Sequence, residues 1–202
     1  MTATRYLYLA RHAEATSDEI GLTTNGREQA RLLGERLRDA TAPIASVHHG
    51  PLPRAAETAR IVAAALGVEP QQDPAAGDYV PYRPGPDEAP AHYRRFVDQL
   101  DDDADDQGAQ LATQAVERFT GPADGDADRH ELVVTHAFTV GWLLRHALDA
   151  PPWRWLTVNQ GNAALTVIRY APERAPSVLV HNDTRHLPGE LRWTGFPPEL
   201  RV

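Results

Sequence analysis

Apolar and polar residues follow two rhythms along this chain. Short, nearly continuous apolar runs read as strands buried on both faces, and longer stretches with apolar residues three or four apart read as helices with one face against a core. Tyr6 to Ala10 is the first strand; Thr23 to Ala40 is the first helix, with a Thr cap and Ala30, Leu33 and Leu37 on one face. Ile44 to His48 is a second strand. Pro53 to Leu66 reads as a helix with proline in its first turn and Gly67 as its stop, followed by a weaker strand at Val68 to Asp73. From Pro74 to Pro90, prolines and glycines break both rhythms, and a long irregular loop is predicted, of the kind that carries function in compact domains. Helices around Ala91 to Leu100 and Gly108 to Phe119 follow. The acidic run between them, Asp101, Asp102, Asp103, Asp105 and Asp106, reads as a solvated connection.

The rest of the chain continues the alternation and then departs from it. Glu131 to Thr135, sequence ELVVT, is a buried strand, and Phe138 to Leu148 is a helix with Val140, Leu143, Leu144, Ala147 and Leu148 inward. Ala163 to Tyr170 and Ser177 to His181 are strands joined by a turn containing Pro172 and Pro176, an antiparallel addition at a sheet edge. With no internal repeat and no linker, residues 1–202 are expected to form a single three-layer α/β/α domain around a mostly parallel sheet.

Composition narrows the chemistry. There is no cysteine, so thiolate nucleophiles, thiolate zinc sites and disulfide scaffolds are excluded. The early apolar run is too short for a signal peptide or a membrane span, which sets a soluble, cytoplasmic expectation and no membrane partner. All 20 basic residues are Arg and none is Lys, against 28 acidic residues and a formal net charge of −8. Arginines alternate with carboxylates instead of forming a basic stripe, so nucleic acid is not an expected partner. The missing lysine, in a chain rich in Ala and Pro, reads as compositional bias. Asp124, Asp126 and Asp128 mimic the start of a calcium loop, but Arg129 stands where the sharp turn needs glycine, so no metal is expected there. His48 and His49 make no metal pair either, because adjacent strand residues diverge.

In open α/β sheets, ligands sit off the carboxyl ends of the strands. Three such ends carry cationic or imidazole groups: Arg11-His12, Arg54 and His136. Arg54 lies in the first turn of its helix and His136 opens the next one, where free backbone N–H groups favour an anion. Two guanidiniums and two imidazoles converging there describe a pocket for a doubly charged tetrahedral anion, most commonly phosphate.

LARHAEA, LTTNG with Gln29-Ala30, HGPLPRAAETA and VVTHA occur in this order, each histidine preceded by a strand. This pattern resembles the histidine phosphatase superfamily, in its phosphoglycerate-mutase-like branch, over nearly the whole chain from Arg5 to about Leu187. Within it, Gly77-Asp78-Tyr79-Val80-Pro81, Pro151-Pro152 with Trp155, and Asn182-Asp183-Thr184 resemble the mitochondrial serine/threonine phosphatase type.

The resemblance implies a phosphoglycerate-mutase-like fold and a metal-independent phosphatase without cofactor. His12 would be the nucleophile, and Arg11, Arg54 and His136 would grip the phosphoryl oxygens. A neutral imidazole can attack in line if its other ring nitrogen is held as a donor, for instance to a backbone carbonyl. Where mutase-type members place an acidic Glu, this chain has Ala76. Asp78 is the nearest carboxylate and the candidate general acid, with Glu14 as the alternative; in plain structural terms Asp78 is a turn residue after Gly77. Glu57 and Thr58 are expected to brace Arg54, and Asn162 lies within possible reach of the pocket. His48, His130, His146, His181 and His186 read as structural or surface residues, and the four tryptophans as core or cover for the last strands. The expected substrate is a small phosphomonoester or a phosphoprotein. Alternatives are a phosphohistidine-protein phosphatase, a phosphoglycerate-mutase-type phosphotransferase, or a binding protein with a non-catalytic phosphate pocket.

Overall fold

A computed structural model describes residues 2–100, 105–196 and 198–201. Six strands form one sheet in the order β4-β3-β6-β2-β7-β8: β2 is Arg5–Arg11, β3 Ser46–His49, β4 Pro70–Gln72, β6 Arg129–Thr135, β7 Leu165–Tyr170 and β8 Ser177–Asp183. The first four neighbours pair in parallel, and β7 and β8 add antiparallel at one edge, as the two C-terminal apolar runs predict. Two strands of two residues, β1 at Thr2–Ala3 and β5 at Ala123–Asp124, make a separate small ladder that the apolar pattern is too short to reveal.

Alternation along the central strands divides the core. Leu7, Leu9, Val133 and Ile168 face helices α4 (Asp105–Phe119) and α5 (Ala137–Ala147), packing with Phe119 and Leu143. Ala10, Leu132 and Val134 face the other way, onto α1 (Thr24–Arg38) and α2 (Pro53–Leu66), where Leu33, Leu37 and Val62 complete the layer. Thr23 caps α1 by accepting the Gly26 N–H, and Gly67 ends α2 in the left-handed conformation, both at the residues the sequence marks.

Between β4 and α4 the helical pattern at Ala91 to Leu100 resolves into a 3-10 turn, Ala91–Tyr93, and a single helical turn, α3, at Arg94–Val97. The shortfall has a cause outside the segment: the Arg83 guanidinium, from the irregular loop, donates to the carbonyls of Val97 and Leu100 and ends the helix there. In the other direction, α4 begins three residues before Gly108; Asp106 in its first turn suits the helix dipole. Asp101, Asp102 and Asp103 lie outside the described residues. The loop itself is pinned by the buried Trp155, whose indole N–H donates to the Tyr82 carbonyl at 2.9 Å. Of the would-be calcium loop, Asp128 accepts the Thr4 N–H and so joins β6 to the start of β2.

Candidate active site

Strands β2 and β6 run side by side with Arg11 opposite Thr135, so the chain leaves both at one level and His12 and His136 emerge together. The His12 N–H donates to the Thr135 carbonyl at 2.8 Å, and the two ring centroids are 5.0 Å apart. His12 Nδ1 lies 2.8 Å from the Ala13 carbonyl. A carbonyl only accepts, so the proton sits on Nδ1 and Nε2 carries the lone pair, which accepts from Arg54 Nε at 3.2 Å. Burial first, then the neighbouring His136 imidazole, which cannot share a second positive charge at this distance, and the Arg11 guanidinium push His12 down to about 2. His136 is only 1% exposed and is pushed down to about 3 by burial, then by Arg54 and Arg11. Both imidazoles are therefore neutral across the physiological range. Neither ring nitrogen of His136 has a hydrogen-bond partner among the described residues, and the nearest carboxylate oxygen, Asp78 Oδ2, is 3.5 Å from its Nδ1.

Arg54 stands second in α2, after Pro53, and is buried. Its Nη2 donates to Asp78 at 2.7 Å and its Nη1 to Glu19 at 3.0 Å. One turn along, the Thr58 hydroxyl donates to the Arg54 carbonyl and accepts the Ala13 N–H at 3.0 Å, tying α2 to the turn after His12. Thr58 thus braces Arg54, as expected. Glu57 does not: its carboxylate accepts from the Leu22 N–H and from Arg27, on the opposite side of the helix start. Arg54 takes its carboxylates, Glu19 and Asp78, from loops distant in sequence, while the Glu57 carboxylate is already engaged by Leu22 and Arg27.

Asp78 is positioned by threonines. Thr135 donates its hydroxyl to the Ala76 carbonyl and Thr139 donates to that of Gly77, both at 2.7 Å, clamping the turn to β6 and α5. Gly50 permits the same turn to close in, since a Cβ there would lie 2.4 Å from the Ala76 oxygen. Burial raises the Asp78 carboxyl above its ordinary value, opposed by the Arg54 and Arg11 charges. Glu14, the alternative acid, accepts the Thr23 hydroxyl at 2.7 Å and belongs to the base of α1.

Arg11 is held from the far end of the chain. Its Nη1 donates to the carbonyls of Gln160 at 2.7 Å and Gly195 at 2.6 Å, while Asn162 donates from Nδ2 to the His12 carbonyl at 3.0 Å. Gly195 has φ +65°, which favours glycine, and a Cβ there would meet Asn162 Oδ1 at 2.2 Å, so a larger residue would displace the Asn162 side chain. Glu19, Gln160 and Gly195 are absent from the sequence-derived set. An exposed loop carboxylate and two backbone carbonyls carry no local signal; only Asn162 lay on a segment already under suspicion.

The other histidines are engaged elsewhere. His48 packs on Phe119, His130 stacks on Tyr6, His181 meets Thr166 and His186 meets Arg36. Trp142 and Trp155 are buried, as the core reading of the tryptophans requires, while Trp193 packs on Phe196 beside Gly195. Among the described residues no group of three or more His, Asp or Glu side chains is placed to hold a metal ion. Two fixed guanidiniums, two neutral imidazoles and one carboxylate of raised pKa can bind a phosphoryl group, attack it and exchange a proton with a leaving oxygen.

Comparison with known proteins bears on this chemistry. Residues 7–184 match the model of the histidine phosphatase superfamily, branch 1. The serine/threonine-protein phosphatase Pgam5, mitochondrial, of Caenorhabditis elegans is 33% identical over 193 residues, 93% of this chain and 66% of that protein. This chain thus spans about two thirds of the length of the curated relatives it matches. Among solved structures, the phosphoglycerate mutase of Plasmodium falciparum superposes with TM-score 0.63 at 23% identity, covering 93% of this chain and 96% of that one. A putative alpha-ribazole-5'-P phosphatase of Escherichia coli gives TM-score 0.66 at 19% identity, over 89% and 97%. These two likenesses establish the phosphoglycerate-mutase-like fold. The curated relatives are named as mitochondrial, which overturns the cytoplasmic expectation: a short first apolar run says nothing of compartment.

Proposed function

Because the chain belongs to the histidine phosphatase superfamily, we propose that it is a phosphatase hydrolysing a phosphomonoester through a phosphohistidine on His12. The observation that carries the reading is the tautomer of His12. With Nδ1–H held by the Ala13 carbonyl, the one lone pair of the ring sits on Nε2, among the guanidinium of Arg54 and the ring of His136. That nitrogen attacks phosphorus, the bond to the leaving oxygen breaks, and Asp78 gives that oxygen its proton. Water then attacks the phosphohistidine, Asp78 takes the proton back, and the N–P bond breaks to release phosphate. Arg11, Arg54 and His136 hold the three peripheral oxygens, so positioning and charge neutralisation supply most of the rate.

The raised pKa of Asp78 supports its part, because a carboxyl must be protonated to act as an acid near neutral pH. The relatives are named as serine/threonine-protein phosphatases, and the substrate this reading adopts is the coarser class, a phosphomonoester of an alcohol. Hydrolysis of an aryl phosphate with chelator present tests it. Wild type is expected to turn over and His12→Ala to be inactive; activity that survives His12→Ala, or that chelator abolishes, refutes the mechanism.

A further inference from the structure

Next to the phosphate-sized cluster lies a cleft of a different character. It has a volume of about 420 Å³ and is walled by Tyr93, Phe96, Phe138, Trp155, Leu156 and Leu200. That is the size of a small-ligand site and several times that of a phosphate group. The rings form a connected edge-to-face set: Phe138 to Trp155 at 4.8 Å between centroids, and Phe96 to Phe138 at 5.9 Å. Ala137 also lines the cleft, and it is both the residue after His136 and the first of α5, so one wall of the cleft follows the phosphate cluster directly along the chain.

Two features say what the cleft takes. Phe96 and Leu200, on its rim, are 39% and 46% exposed, an apolar surface left facing water where the chain has polar residues to spare. Among the described residues lining the cleft, Glu199 is the one with a charge, and it is negative. A second phosphate, or the carboxylate of a small acidic metabolite, finds no cation there and is repelled by Glu199. An aromatic or branched aliphatic group buries area against four aromatic side chains and loses no hydrogen bond.

Resting on the phosphatase reading, we propose that this cleft receives the leaving group, and that the preferred substrate is a phosphomonoester whose alcohol is aromatic or bulky and apolar. Four separate pieces of chain build it: the segment after the proline-rich loop, the start of α5, the turn at Pro152–Thr157, and the C-terminal residues. None of the residues lining the cleft is one of the phosphate-holding residues Arg11, Arg54 and His136, so leaving-group specificity is set apart from the phosphate grip.

The test compares kcat/KM for 1-naphthyl phosphate and O-phosphoserine in wild type, Phe96→Ala and Leu200→Asp, two substitutions at partly exposed positions that leave the sheet and the phosphate cluster intact. Wild type is expected to prefer the naphthyl ester, and each variant to lose about tenfold on it while holding its phosphoserine value. A naphthyl value unchanged in both variants, or a parallel fall on both substrates, overturns the proposal. Binding of non-hydrolysable 1-naphthylmethylphosphonate, followed by tryptophan fluorescence, separates the two readings. If no ester is turned over, the phosphatase reading fails, while weaker phosphonate binding by Phe96→Ala still upholds the cleft and equal binding refutes it.

Discussion

Arg54 makes three polar contacts with its guanidinium, to His12, Asp78 and Glu19, and they are not equivalent. Glu19 is 66% exposed, so its ion pair adds little to stability, but it occupies Nη1, a donor that a phosphoryl oxygen needs. Glu19→Gln is expected to leave the unfolding midpoint unchanged and to tighten inhibition by inorganic phosphate about threefold, the scale of one exposed pair; an unchanged inhibition constant contradicts this. Asp78→Asn is expected to lower kcat on alkyl phosphates about a hundredfold and on aryl phosphates far less, because a good leaving group needs no acid. The pH profile carries the same information with a definite sign. His12 is already neutral, so activity persists toward acid, and the alkaline limb on alkyl esters follows deprotonation of the raised Asp78 and vanishes in Asp78→Asn. Arg11, His12, Arg54 and His136 were legible as a set because each ends a strand or opens a helix. Glu19 was not, since its position beside Arg54 depends on how the 16–21 turn folds back.

At the scale of elements, the site depends on ties between segments more than on any one of them. Thr58 is fully buried and satisfies the Ala13 N–H, so Thr58→Val leaves that donor unpaired and is expected to cost about 1–3 kcal/mol, measurable by denaturant titration. Gly195→Ala is expected to raise KM, because the side chain has no room beside Asn162 and the strain falls on the carbonyl that holds Arg11; unaltered kinetics would detach the tail from the site. The sequence located α1, α2 and α5 to within two residues, since amphipathic periodicity and caps are local. It overstated the helix at Ala91 to Leu100, because the group that ends that helix, Arg83, acts through space.

For the whole molecule, two buried neutral imidazoles make stability depend on pH. In the unfolded chain they titrate near the ordinary histidine value of about 6.5, while in the fold His12 and His136 are held down to about 2 and about 3. Below pH 6.5 the unfolded state binds protons the folded state refuses. The stability is therefore complete above about 6.5 and lost progressively as pH falls toward the folded values. Urea midpoints are expected to fall between pH 7.5 and 5, less steeply in the His12→Ala, His136→Ala double variant; parallel slopes would exclude the pair as the cause.

The sequence by itself determined which strands are buried, that a sheet with helices on both faces results, that two antiparallel strands close one edge, and that Arg11, His12, Arg54 and His136 stand at strand ends and helix starts. Each of these rests on a period or a spacing of a few residues, which the chain displays whether or not it is folded. Tertiary structure alone decided which carbonyls hold Arg11, which carboxylates flank Arg54, and that an aromatic cleft opens beside His136. Arg11 and Gly195 meet across 184 positions of sequence. No periodicity reaches that far, and such a contact exists only once the sheet, the loops and the tail have packed.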